Sequence, residues 1–207
     1  MNVKSYVLLA SLLPAALLTS CGSSAKEEEK KEEESVSAVG ALGALKEMAA
    51  QAEDAQKNGP VETVDFRSLK ELLPADADGL ARKEATGEKN GAAGFAVSTA
   101  TGKYANDDNS ETIELEIIDA GGTGMLMGMA AWSVIEVDKE TANGYEKTSK
   151  MGDYKSYEKY DNDSKAGEIA VLVNKRFIVS AEGRGVSMDK LKATIEEINL
   201  AKLGDLK

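Results

Sequence analysis

The sequence predicts an α+β fold: a largely antiparallel sheet of about six or seven strands, with a central and a C-terminal helix packed on it. Three observations predict it. Residues 111–119 alternate, with Ile113, Leu115 and Ile117 on one side and Glu114 and Glu116 on the other, the period of a half-buried strand. The turn pairs Asn90-Gly91, Gly152-Asp153 and Asn174-Lys175 separate apolar runs, as hairpins require. Residues 120–135, uncharged and apolar on most sides, and residues 187–198, apolar at helical spacing, read as helices.

In chain order, Lys4 precedes an uncharged, Leu- and Ala-rich run from Tyr6 to Leu18, and small residues then lead to Cys21. That is the layout of a secretory signal over residues 1–20. A membrane span needs roughly 20 apolar residues; this run is shorter and contains Pro14. Leu18-Thr19-Ser20-Cys21, followed by Gly22 and Ser23, resembles the lipobox of bacterial lipoproteins. The resemblance implies cleavage between Ser20 and Cys21 and a palmitate-bearing diacylglycerol on the Cys21 thiol. It also accounts for a lone cysteine, which in an exported chain has no internal disulfide partner. In such lipoproteins Asp after the cysteine often retains the protein in the inner membrane. Gly22 therefore implies the outer membrane, facing the periplasm.

Residues 21–35 form the lipidated cysteine and a charged tether, because Lys26-Glu27-Glu28-Glu29-Lys30-Lys31-Glu32-Glu33-Glu34 has nothing apolar to bury. Residues 36–59 read as an amphipathic helix with Val39, Leu42, Leu45 and Met48 on its stripe, stopped by Asn58-Gly59-Pro60. The stripe is mostly alanine and suits packing on protein better than lying on lipid.

Residues 60–207 have the size of one globular domain. Asp65 reads as the N-cap of a short helix reaching Pro74. Strands are expected over 80–89, 93–104, 111–119, 145–150, 154–160, 168–173 and 176–182, with Ser187 capping the last helix. In element order, with Leu73-Pro74 before the strands and Arg176-Phe177-Ile178-Val179 before the closing helix, residues 80–200 resemble PsbP-like bacterial lipoproteins. That resemblance brings no catalytic or binding motif.

Composition excludes several functions. The net charge of −11 argues against nucleic acid, whose phosphates need clustered Lys and Arg. The absence of histidine removes the commonest general base and every Ser-His or Cys-His nucleophile, so an enzyme is not expected. Ser156 and Ser187 each begin a Ser-x-x-Lys, but Ser187 lies too late in the chain for the penicillin-binding pattern and reads as a helix cap, and Ser156 falls in an expected strand. Gly122-Thr123-Gly124 departs from the phosphate-binding glycine pattern. Asp76-Ala77-Asp78-Gly79, Asn106-Asp107-Asp108-Asn109 and Asp161-Asn162-Asp163 offer oxygen ligands without EF-hand spacing. Tyr145, Tyr154, Tyr157 and Tyr160 crowd one hairpin, with Tyr157 on the face opposite Tyr154 and Tyr160.

The remaining candidate is Met125, Met127 and Met129 with Trp132 close behind. Thioethers suit Cu(I), yet an uncharged segment without histidine reads first as core packing. The expectation is a non-enzymatic, lipid-anchored envelope protein with no cofactor and no metal, contacting the membrane through its anchor and an envelope protein through its domain. The alternative is a periplasmic small-ligand or Cu(I) carrier using Met125–Trp132.

Overall fold

A computed structural model describes Lys46, Glu53 and residues 62–92, 95–121 and 130–206. All of these belong to one compact unit, Val36–Lys207. Lys46 and Glu53 have helical backbone.

The expected α+β class is corrected: the described chain is mostly one nine-stranded, entirely antiparallel sheet with only small helices. The strands are β1 (Asp76–Ala77), β2 (Leu80–Ala92), β3 (Phe95–Ala105), β4 (Thr112–Asp119), β5 (Asp138–Thr141), β6 (Gly144–Met151), β7 (Tyr154–Asp161), β8 (Ala166–Val173) and β9 (Phe177–Arg184). Their order across the sheet is β1-β2-β3-β4-β9-β8-β7-β6-β5. Two meanders therefore meet at the β4–β9 pair, each running from an outer edge to the middle.

The count was short because β1 and β5 carry no strand signal. β1 has two residues, and all four residues of β5 are exposed, so neither shows an apolar alternation. Short, charged edge strands are a normal guard against edge-to-edge pairing. Asn90-Gly91 is not a turn either. Both residues lie inside β2, opposite Val97 and Ala96, and the hairpin reverses only after Ala92. Asn174-Lys175 does turn the chain, with φ of 50° and 54°, the left-handed pair that a tight hairpin uses.

The helices bounded within the described residues are α1 (Phe66–Lys70), α2 (Met188–Glu196) and α3 (Leu200–Gly204), of five, nine and five residues. Asp65 caps α1 by accepting from Arg67 N at 2.8 Å, and Ser187 caps α2 by accepting from Lys190 N at 3.2 Å. Of the expected central helix, the described part is a single 3-10 turn, Ala131–Val134; residues 122–129 lie outside the described residues.

One face of the sheet carries the core. Ile113, Leu115 and Ile117 of β4 align with Val179 and Ala181 of β9, and Ile169 and Val171 of β8 continue the layer towards Leu191 and Ile195 of α2. Gly183 lets α2 come close: a Cβ there would sit 2.7 Å from Leu191 Cδ2 and would also collide with Val186. On the other face, a smaller cluster of Ile118, Ala120, Ala130, Ala170 and Ile178 is flanked by Trp132 and Leu172.

Candidate functional site

Strand parity sorts the polar side chains between these faces. On the helix side, two carboxylates are buried among the described residues and both are neutralised. Asp119, fully buried at the end of β4, accepts from Arg176 Nε at 2.9 Å and Nη2 at 2.7 Å. It also accepts from the backbone amides of Val64 and Gly121, each at 2.8 Å. Arg176 Nη2 reaches on to Glu62 O at 3.1 Å, so this pair clasps the incoming chain to the β8–β9 turn. Thr63 Oγ1 and Ser98 Oγ are buried with no hydrogen-bond partner among the described residues.

Glu158 of β7, 3% exposed, is the second. Lys192 of α2 approaches it to 3.0 Å and Lys147 of β6 to 3.7 Å. Ser149 donates to Glu158 Oε1 at 2.9 Å and pairs with Ser156 Oγ at 2.9 Å. Burial raises the Glu158 pKa, but the bonds from Lys192 and Ser149 and the charges of Lys192 and Lys147 outweigh it and hold it below the ordinary value. Burial and the adjacent Glu158 push Tyr145 up to about 12. The cluster fastens α2 to the β6–β7 hairpin.

The open face is arranged differently. Across it the register aligns Glu84, Lys103, Glu114, Glu182, Glu168, Lys159, Glu146 and Lys139, one from each strand from β2 to β5. The flanks of this row alternate in sign. Its centre does not: Glu114, Glu182 and Glu168 sit on neighbouring strands, exposed, and among the described residues none has an ion-pair partner. Like charges directly opposite each other destabilise a sheet. Burial raises the Glu168 pKa, helped by Glu182; burial raises that of Glu116 also, helped by Glu114 and Glu88.

Two grooves lie along this row. One, of about 690 Å³, runs over β2, β3, β4 and β9; the other, of about 530 Å³, runs over β9, β8, β7 and β6. They share Glu182 and Gly183. A third, of about 520 Å³, is lined by Trp132, Ile135, Thr148, Lys150 and Lys155.

Cys21, Ser20, Met125, Met127 and Met129 lie outside the described residues. Trp132 is half-buried and stacks on Tyr157, with ring centroids 6.1 Å apart and planes 30° apart. Tyr157 in turn donates to Glu146 Oε1 at 2.9 Å; burial and that carboxylate push its pKa up. Tyr145 and Tyr160 meet on the opposite face at 6.3 Å. Ser156 belongs to the Glu158 cluster and Ser187 is a helix cap. The acidic stretches bond locally: Asp108 accepts from Ser110 N and Oγ, and Asp161 from Ser164 N and Oγ. Among the described residues, no group of three or more His, Cys, Asp or Glu side chains is placed to hold a metal ion, and no helix is long and apolar enough to cross a membrane.

Sequence reasoning missed the Asp119 clasp, the Glu158 cluster and the glutamate row, since each joins residues distant along the chain. Comparison with known proteins matches no family model, no curated protein and no solved structure, so no residue role is carried over from elsewhere.

Proposed function

We propose that this protein is a lipid-anchored component of a bacterial cell envelope, tethered through acylated Cys21 to the periplasmic side of the outer membrane. Its sheet domain is a non-enzymatic binding module that presents the open face to another envelope protein. The observation that carries the reading is the row Glu114–Glu182–Glu168 beside two adjoining grooves. A sheet shaped only for stability would alternate signs there, as its flanks do.

Photo-crosslinking residues placed at Glu182 and Lys159 in intact cells are expected to yield one reproducible protein adduct, whereas placement at exposed Asp189 on α2 yields none. Adducts of equal yield from both faces, or none at Glu182 and Lys159, would overturn the reading. Separately, Cys21→Ala is expected to abolish acylation and release the chain from the membrane fraction.

The carrier reading is supported by the groove at Trp132. It predicts that Cu(I) or a small ligand alters Trp132 emission; an unchanged emission through an anaerobic Cu(I) titration removes the metal version.

A further inference from the structure

On the helix-side face lies a short strap that belongs to no strand and that the open-face reading does not use. Glu62 to Asp65 run without helix or strand up to α1. Three side chains of the sheet hold them: Asp119 accepts from Val64 N at 2.8 Å, Arg176 Nη2 donates to Glu62 O at 3.1 Å, and Lys89 Nζ donates to Thr63 O at 3.3 Å. Lys89 also lies 3.8 Å from the exposed Glu62 carboxylate. Lys89, Ser98 and Asp119 stand opposite one another on β2, β3 and β4. Because the strap is bonded to Lys89 at Thr63 and to Asp119 at Val64, it crosses over Ser98, the residue between them.

Two features set this strap apart from the strands beneath it. Ser98 is fully buried and Thr63 is 4% exposed, yet neither Ser98 Oγ nor Thr63 Oγ1 has a hydrogen-bond partner among the described residues. A buried hydroxyl without a partner costs at least what one made hydrogen bond returns. Asp119 cannot serve Ser98, because its acceptor positions are taken by Arg176 Nε and Nη2, Gly121 N and Val64 N. The second feature is that the pairing below is complete without the strap. When Val64 N leaves, Asp119 keeps Arg176 and Gly121 N, so no buried charge is stranded. The β2–β3, β3–β4 and β4–β9 ladders contain no strap residue. The apolar contact that closure gains is the side chain of Val64, buried in the core cluster.

We propose that Glu62–Asp65 is a latch, a segment that lifts from the sheet as a unit while β2, β3, β4 and β9 stay paired. Closure makes three hydrogen bonds and buries Val64, and it strands two hydroxyls. Lifting hydrates both hydroxyls together with the freed backbone groups. The latched and lifted states therefore lie closer in free energy than the folded and unfolded sheet, the condition for a local opening. Lifting uncovers the Lys89–Ser98–Asp119 row on the helix-side face and leaves the open face as it is.

Hydrogen exchange of the full chain, followed amide by amide by nuclear magnetic resonance at low urea concentrations, tests the latch. The Val64 amide, bonded to Asp119, should exchange roughly tenfold or more faster than that of Leu115, fully buried in the middle of β4. Its rate should be insensitive to urea while that of Leu115 rises, since only global unfolding exposes much surface. Thr63→Val and Ser98→Ala each remove a stranded hydroxyl from the closed state and should slow Val64 exchange several-fold. Lys89→Met removes one bond of closure and should speed it. Circular dichroism checks that each variant remains folded. Val64 exchanging at the rate of Leu115, with the same dependence on urea, would show that the strap leaves only when the whole sheet unfolds, and overturns the latch. Thr63→Val and Ser98→Ala both speeding Val64 exchange overturns it as well, because the two hydroxyls would then be stabilising the closed state.

Discussion

On the helix-side face, both buried carboxylates are met by cations and hydrogen-bond donors: Asp119 by Arg176 and two amides, Glu158 by two lysines and Ser149. On the open face, Glu114, Glu182 and Glu168 meet one another. The difference teaches which constraint acts where. A buried unpaired charge costs several kcal/mol and does not persist without partners, whereas an exposed one costs tenths. The first face is therefore held to pairing by folding, and the second is not. The two should respond to mutation in opposite directions.

The largest expected effect is on the clasp. Asp119→Ala leaves Arg176 and two amides without their acceptor and should lower unfolding stability by about 3–5 kcal/mol, read by urea denaturation. A loss below about 1 kcal/mol would show that the helix-side pairs do not carry the fold and would break the contrast. Glu158→Ala should cost less, about 2–3 kcal/mol, because Lys147 and Lys192 retain partial access to water at 40% and 33% side-chain exposure. Its circular dichroism should show α2 weakened before the sheet. A cost equal to that of Asp119→Ala would mean that lysine exposure gives no relief.

These pairs also mark how far the sequence could be read. Strands whose side chains alternate between two different environments were legible: Ile113 to Ile117 named β4, and Phe177 to Ala181 named β9. β5 was not, since Asp138, Lys139, Glu140 and Thr141 are all exposed and two-residue periodicity needs a buried partner to show itself. Asn90-Gly91 misled because turn chemistry is a local preference, and pairing of β2 with β3 along eleven positions overrode it. The described helices are short: α1 and α3 hold five residues each and α2 nine, since helical spacing marks a buried face but not where the helix stops. The clasp and the glutamate row were invisible because register, not spacing along the chain, brings Asp119 to Arg176 and Glu182 between Glu114 and Glu168.

The smallest effect tests the open face most directly. Glu116 and Glu168 hold their protons more tightly in the folded protein than at the ordinary glutamate value of 4.5, first because of burial and then because of neighbouring carboxylates. Between 4.5 and the raised folded value, the folded chain binds more protons than the unfolded one, so these groups make stability fall as pH rises through that window. Above the window the penalty is complete; below 4.5 it is absent. Replacing both with glutamine should therefore stabilise the domain at neutral pH by about 0.5 kcal/mol, a figure kept low because Glu168 is exposed and screened. The gain should vanish in acid. Glu158, whose pKa is held low, acts with the opposite sign: its contribution is present above the unfolded value and is lost as pH falls through the folded one. Denaturation midpoints for Glu116→Gln/Glu168→Gln and for Glu158→Gln, followed from neutral pH into acid, should thus diverge from the parent protein in opposite directions at neutral pH and converge in acid. A glutamine pair that gains nothing at neutral pH would mean that carboxylate repulsion on the open face costs the fold nothing, and the argument that this charge is kept for an outside partner would lose its basis.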